Sequence, residues 1–284
     1  MQIALALIAA ALFALGSVLQ QKAGADAPTI GARSGLLLQM ARRPVWLAGV
    51  AADGLAFVAQ AAALGIGRLA VVQPLLVASV VFALPLGAWL GDQRVGRREA
   101  IAAIALLAGL GAFIVVADPS GGHDGASLGA WLIAAAACGG PCVALTLLAP
   151  REPGSRRAAF LGAAAGILFA LSAALTKTVV SELDNGLLTI ITTWPLYGLI
   201  AVGYVSMTLN QMSLDAGALA ATMATSTALD PIASVVLGLT LFRESMSAGP
   251  IEVLVILLAL VVVVGAMIVL ARDQAQPSSS MASA

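Results

Sequence analysis

Two aspartates stand inside long apolar runs: Asp53 is tenth in the run 44–66, and Asp230 is fourteenth in the run 217–241. An aspartate at the centre of a membrane helix costs about 2.5–3.5 kcal/mol on insertion scales. Its single methylene is too short to lift the carboxylate to the membrane surface. Such a group either faces an aqueous cavity, where it binds a proton or a cation, or is neutral and hydrogen-bonded to a neighbouring helix.

Asp230 precedes Pro231, and Gln73 precedes Pro74. Proline has no N–H and frees the carbonyl four residues earlier, here Thr227 and Ala70. Pro74 and Pro231 are therefore helix-break candidates. Broken helices at membrane depth line cavities, the alternative being a kink that only serves packing. Gln60 and Asn210 are 150 residues apart at matching places, and Gln211 adjoins Asn210. Amides donate and accept, which suits a polar or zwitterionic ligand, although they also bond helix to helix. Gln20 and Lys177 lie near helix ends, where they serve either as gates or as interfacial anchors.

Other chemistry is thin. Cys138 and Cys142 share a helix face, but two thiols without a histidine make a poor metal site. His123, the one histidine, falls in the turn-rich "DPSGGHDGAS". No HExxH, P-loop or Ser/His/Asp constellation is present, so the chain reads as neither an enzyme nor a holder of a cofactor or metal. Gly162 and Gly166 form a GxxxG spacing suited to close helix packing.

The elements that must position these groups follow from composition. The chain is 61% hydrophobic and 10% charged, with a mean hydropathy of +1.02. A soluble domain carries about 25% charged residues. The reading is an all-α polytopic membrane protein. A net charge of zero gives no basic face for nucleic acid. A spanning helix needs about 20 apolar residues. Nine segments qualify: 2–21, 44–66, 69–90, 99–117, 127–149, 158–180, 187–208, 217–241 and 251–271. The first has no positive flank before it and reads as a retained helix, not a cleaved signal. Segment 23–43 holds either a short interfacial helix or an irregular loop. Residues 272–284 read as a disordered cytoplasmic tail.

With nine alternating spans, eleven Lys and Arg fall on one side and three on the other, which are Arg68, Lys177 and Arg243. Positive charge favours the cytoplasm. The N-terminus is then outside and the C-terminus inside, in the plasma (inner) membrane.

The sequence also echoes itself. "FALGSVLQQK" at 13–22 returns as "FALSAALTK" at 169–177. Leu64-x-x-Gly67-x-Leu69-Ala70 matches Leu214-x-x-Gly217-x-Leu219-Ala220, and "ASVV" occurs at 78–81 and 233–236. Trp46 and Trp194 open corresponding runs. Echoes kept in order indicate a repeat. The division is a four-helix repeat over 1–117, a linking helix and loops over 118–157, and a second four-helix repeat over 158–271. One intervening helix inverts the second repeat. Inverted repeats suit alternating access to a central site.

On "FVAQAAALGIGRLAVVQPL" at 57–75 and "LNQMSLDAGALAATMATSTALDPIASVVLGLTLFRE" at 209–244, the chain resembles the drug/metabolite transporter superfamily, EamA-like group. Nine spans, "GSVLQQK", "WLAG" and "VVQPL" resemble its NIPA-like magnesium transporter branch. That branch has a glutamate near the position of Phe57, whereas Asp53 lies here about one turn earlier.

The expectation is a proton-coupled secondary transporter, an exporter of a small polar or amphipathic metabolite, working with protons or cations in a lipid bilayer. Divalent cation transport is the second reading, and a non-transporting scaffold or receptor the third. A homodimer is compatible with each.

Overall fold

The computed structural model describes residues 1–25, 43–90, 96–117, 119–123, 125–246 and 250–274. The chain is an all-α polytopic membrane protein. Its helices are α1 Gln2–Ala25, α2 Pro44–Gly65, α3 Leu69–Leu76, α4 Ser79–Leu90, α5 Arg97–Ala117, α6 Leu128–Leu148, α7 Ser155–Ser181, α8 Leu187–Thr192, α9 Trp194–Asp215, α10 Leu219–Thr240 and α11 Pro250–Gln274. Among the described residues seven helical segments are long and apolar enough to cross a membrane, with α3 and α4 counted as one. The segments read as spans at 187–208 and 251–271 fall on α8–α9 and on α11. Most of 23–43, and the tail from 275, lie outside the described residues.

Local sequence explains the boundaries. Pro44 opens α2, where its missing N–H is unneeded. Ser127 caps α6 by accepting the Ala130 N–H. Gly186, at φ 98°, lets the chain turn between α7 and α8. Large apolar side chains such as Ile104, Val115 and Ile133 are exposed. Faces of this kind belong against lipid.

Small residues bring the helices together. A Cβ on Gly162 would lie 2.5 Å from Thr225 Oγ1, and one on Gly166 would run into the Ser226 carbonyl. The GxxxG pair therefore seats α7 on α10, as its spacing predicts. α7 also packs against α9, α6 and α2, while α1 packs against α2, α3 and α4.

One end of the bundle collects many termini. The Arg68 N–H donates to Gln2 Oε1 at 2.9 Å, and Arg68 Nε donates to the Gly121 carbonyl at 3.2 Å. Lys177 Nζ donates to the Gly67 carbonyl at 2.5 Å. So α1 begins where α2 and α7 end. α1 and α7, which carry the two echoed strings, run in opposite senses. At the far end, the Gly154 N–H donates to the Ala216 carbonyl at 2.9 Å, placing the start of α7 beside the end of α9.

Two features differ from the sequence expectation. Residues Pro119–Gly121 and Glu244–Met246 form a short antiparallel pair, with Ser120 opposite Ser245. Turn-rich composition hid these strands. The two proline sites also differ. After Pro74 the helix breaks at residues 77–78, and hydrogen bonds tighten to a three-residue spacing, as in Val77 N–H to Pro74 O at 3.2 Å. Pro231, expected to break its helix as well, lies within α10, which runs on from Leu219 to Thr240. A proline deletes one intrahelical bond, and packing against α7 and α3 holds α10 together across the gap.

Candidate functional site

A cavity of about 650 Å³ lies between helices drawn from both ends of the sequence. α1 contributes Phe13, α2 contributes Phe57 and Gln60, and α3 contributes Gln73. From later in the chain come Phe169, Ser172 and Thr176 of α7, Tyr204 and Ser206 of α9, and Thr227 and Asp230 of α10. Most of the wall is apolar. Phe57, Ile200, Tyr204 and Met207, on α2 and α9, are 49–75% exposed and form an open rim.

Three polar groups stand out. Asp230 accepts one hydrogen bond, from Ser234 Oγ to Oδ1 at 3.2 Å. Ser234 follows by one helical turn, so the pair arises within α10. Gln73 is 2% exposed, and its Nε2 has no hydrogen-bond partner among the described residues. Ser172 Oγ, also buried, has none either. Thr176, one turn along α7, spends its hydroxyl on the Ser172 carbonyl at 2.9 Å. A buried donor without a partner costs about 1–3 kcal/mol. Both belong to residues that line one cavity, and a water, a ligand or a side-chain rotation would relieve them.

The wall also respects the sequence echoes. Phe13 and Phe169 open the two repeated strings, and both line the cavity. Phe57 and Met207 share the 150-residue offset of Gln60 and Asn210, and both line it. Gln73 and Asp230, the two residues before the prolines, line it as well.

The remaining candidates lie elsewhere. Asp53 is not on the cavity wall. Its Oδ2 accepts a hydrogen bond from Gln20 Nε2 at 2.5 Å, tying α2 to α1. Gly16 makes room for this carboxylate, since a Cβ there would collide with it. Thus two residues singled out separately in the sequence form one interhelical pair. Asn210 is half-buried and Gln211 exposed on α9, both off the wall. Lys177, expected to anchor at an interface or to gate, is instead 4% exposed. Besides bonding Gly67, its ammonium lies 5.5 Å from the centre of the Phe242 ring, a cation–π distance. The fold around the α7 terminus encloses a side chain that could otherwise have reached out.

Cys138 and Cys142 are buried and free. His123 is exposed, and its N–H donates to the Phe242 carbonyl at 2.8 Å. Among the described residues no three His, Cys, Asp or Glu side chains gather as a metal site.

Glu244 escapes sequence reasoning. It follows the run 217–241 and looks like a loop charge, yet it is only 4% exposed. Its Oε1 accepts the Leu69 N–H at 2.8 Å, and its Oε2 accepts the Ala70 N–H at 3.0 Å. These are the first donors of α3, which have no partner within the helix. The carboxylate therefore clamps the segment after α10 to the start of α3, beside the strand pair.

No family model matches the chain, and no solved structure matches it. An uncharacterized protein of Corynebacterium glutamicum is 32% identical to it over 281 residues, covering 97% of this chain and 96% of that protein.

Proposed function

We propose that this chain, which belongs to one family with the Corynebacterium glutamicum protein and matches it almost end to end, is a secondary transporter. The reading has nine spans, with the N-terminus outside. Residues 1–117 and 158–271 are inverted repeats of the drug/metabolite transporter kind, and the segment 118–157 links them. The observation that carries the reading is the cavity. Helices from both proposed repeats wall it, three residue pairs at echoed sequence places line it, and among the described residues its wall carries one carboxylate, Asp230. The opposite senses of α1 and α7 support the inversion.

In this mechanism Asp230 carries the coupling proton. The substrate occupies the space beside it, and the two repeats rock around the site. A proton gradient directed inward then drives the substrate outward. An apolar wall with a few polar groups suits an amphipathic metabolite. Mg²⁺, which keeps several waters, would have one carboxylate among the described lining residues, Asp230, beside amide and hydroxyl oxygens on a mostly apolar wall.

The test uses reconstituted protein with single cysteines at Gln60 and Thr227, in a background of Cys138→Ala and Cys142→Ala. Both positions should label from one side in one pH regime and from the other side when the gradient is reversed. Labelling that never changes sides would exclude alternating access.

A further inference from the structure

We infer that the cavity is built for a bipolar ligand: a small amphipathic amine whose ammonium meets Asp230 and whose neutral acceptor oxygen meets Gln73 and Ser172. This rests on the transport reading and narrows its substrate class.

The argument starts from complementarity. Gln73 and Asp230 occupy matching places before Pro74 and Pro231, yet one offers donors and the other an anion. Gln73 Nε2 carries two N–H groups and, like the Ser172 hydroxyl of the same cavity lining, lacks a partner among the described residues. A side-chain rotation that turns these groups into the cavity would let one ligand oxygen satisfy them. Asp230 has one bond, from Ser234, and its second oxygen has none among the described residues. An ammonium fits there, and Phe13, Phe57 and Phe169 line the same cavity as apolar surface for the rest of the molecule. Gln73, Ser172 and Asp230 line the same cavity, from α3, α7 and α10, so a molecule that fills it would meet all three residues. Among the described residues no lysine, arginine or histidine lines the wall. A free carboxylate therefore has no cation to pair with, and the acceptor must be neutral, such as an amide, an ester or a hydroxyl.

Four matched probes test this. Leucinamide carries the ammonium, the neutral acceptor and an apolar body. Isoamylamine lacks the acceptor, isocaproamide lacks the ammonium, and leucine replaces the amide by a carboxylate. Binding to the full-length protein in nanodiscs is measured by titration calorimetry. Leucinamide should bind about tenfold tighter than each of the others, as expected for satisfying a buried donor or an unpaired charge. Gln73→Met should erase the gap between leucinamide and isoamylamine and keep that between leucinamide and isocaproamide. Asp230→Asn should do the reverse. Ser172→Ala should narrow the first gap and serves if Gln73→Met fails to fold. The inference is overturned if isoamylamine or leucine matches leucinamide in the unaltered protein, if the Gln73→Met and Ser172→Ala proteins keep the full gap, or if no probe binds. Flux in liposomes is read separately. The expected binding pattern without any flux would overturn the transport reading and leave the subsite standing. Gated flux of other molecules with no preference for leucinamide would do the opposite.

Discussion

Gln73 and Asp230 line the same cavity from α3 and α10, two helices in direct contact, and each immediately precedes a proline. Equivalent backbone places thus carry an amide and an acid. If Asp230 exchanges the coupling proton, Asp230→Asn removes that exchange while keeping size and polarity. In liposomes the variant should lose flux driven by a pH gradient, while exchange at equal pH should persist only at substrate concentrations raised about tenfold, in step with the weaker ammonium binding expected of it. Unimpaired pH-driven flux in Asp230→Asn would rule this role out.

Asp53 has a different expectation. Its bond to Gln20 lies between α1 and α2, away from the cavity wall. Asp53→Ala strands the Gln20 amide and should destabilise the protein by about 1–3 kcal/mol. Unfolding in detergent checks the loss. The same variant in liposomes should keep its response to the pH gradient, in contrast to Asp230→Asn.

How much of this was legible beforehand depends on range. Helix positions followed from apolar length alone, since lipid leaves the backbone few other ways to pair. Asp230, Gln60 and Gln73 were recognisable as polar exceptions in apolar runs, and the structure brings all three to one cavity. The same logic could not sort Asp53 from Asp230, because the difference lies in a neighbour 33 residues away, Gln20. Glu244 was opaque for a stronger reason. Its partners, Leu69 and Ala70, are 175 and 174 residues distant, and no local pattern announces a helix start that needs a remote carboxylate. The burial of Lys177 is not legible either, because flexibility near a helix end says nothing about which segments will cover it.

The Glu244 clamp joins elements from the two proposed repeats at one end of the bundle. Glu244→Ala leaves the first N–H groups of α3 unpaired, and bonds to a charged acceptor are worth about 1.5–3 kcal/mol each. Gly238→Ala should weaken the same clamp, since its Cβ would lie 2.5 Å from Glu244 Oε2. Both variants should lower the melting temperature. Both should also raise labelling of a Thr227→Cys probe from the clamp side. Unchanged labelling with lowered stability would make the clamp purely structural.

Glycine substitutions separate packing from composition. Gly166 faces α10, where a Cβ would meet the Ser226 backbone and come within 3.1 Å of Leu229 Cβ. Backbone cannot rotate aside, so Gly166→Ala must push α10 away from α7. Overpacking of this kind costs about 1–3 kcal/mol. The displacement also moves Asp230, the next residue after Leu229, relative to Ser172 on α7. Gly54, on α2, has no atom of the described residues within 4 Å of where its Cβ would lie. Gly54→Ala should therefore be neutral or slightly stabilising, because alanine favours a helix by about 0.5–1 kcal/mol over glycine. Melting temperatures of the two variants should move in opposite directions, and only Gly166→Ala should weaken ligand binding at the cavity. If both alanines prove equally harmless, the close seating of α7 on α10 is not what holds Asp230 in place.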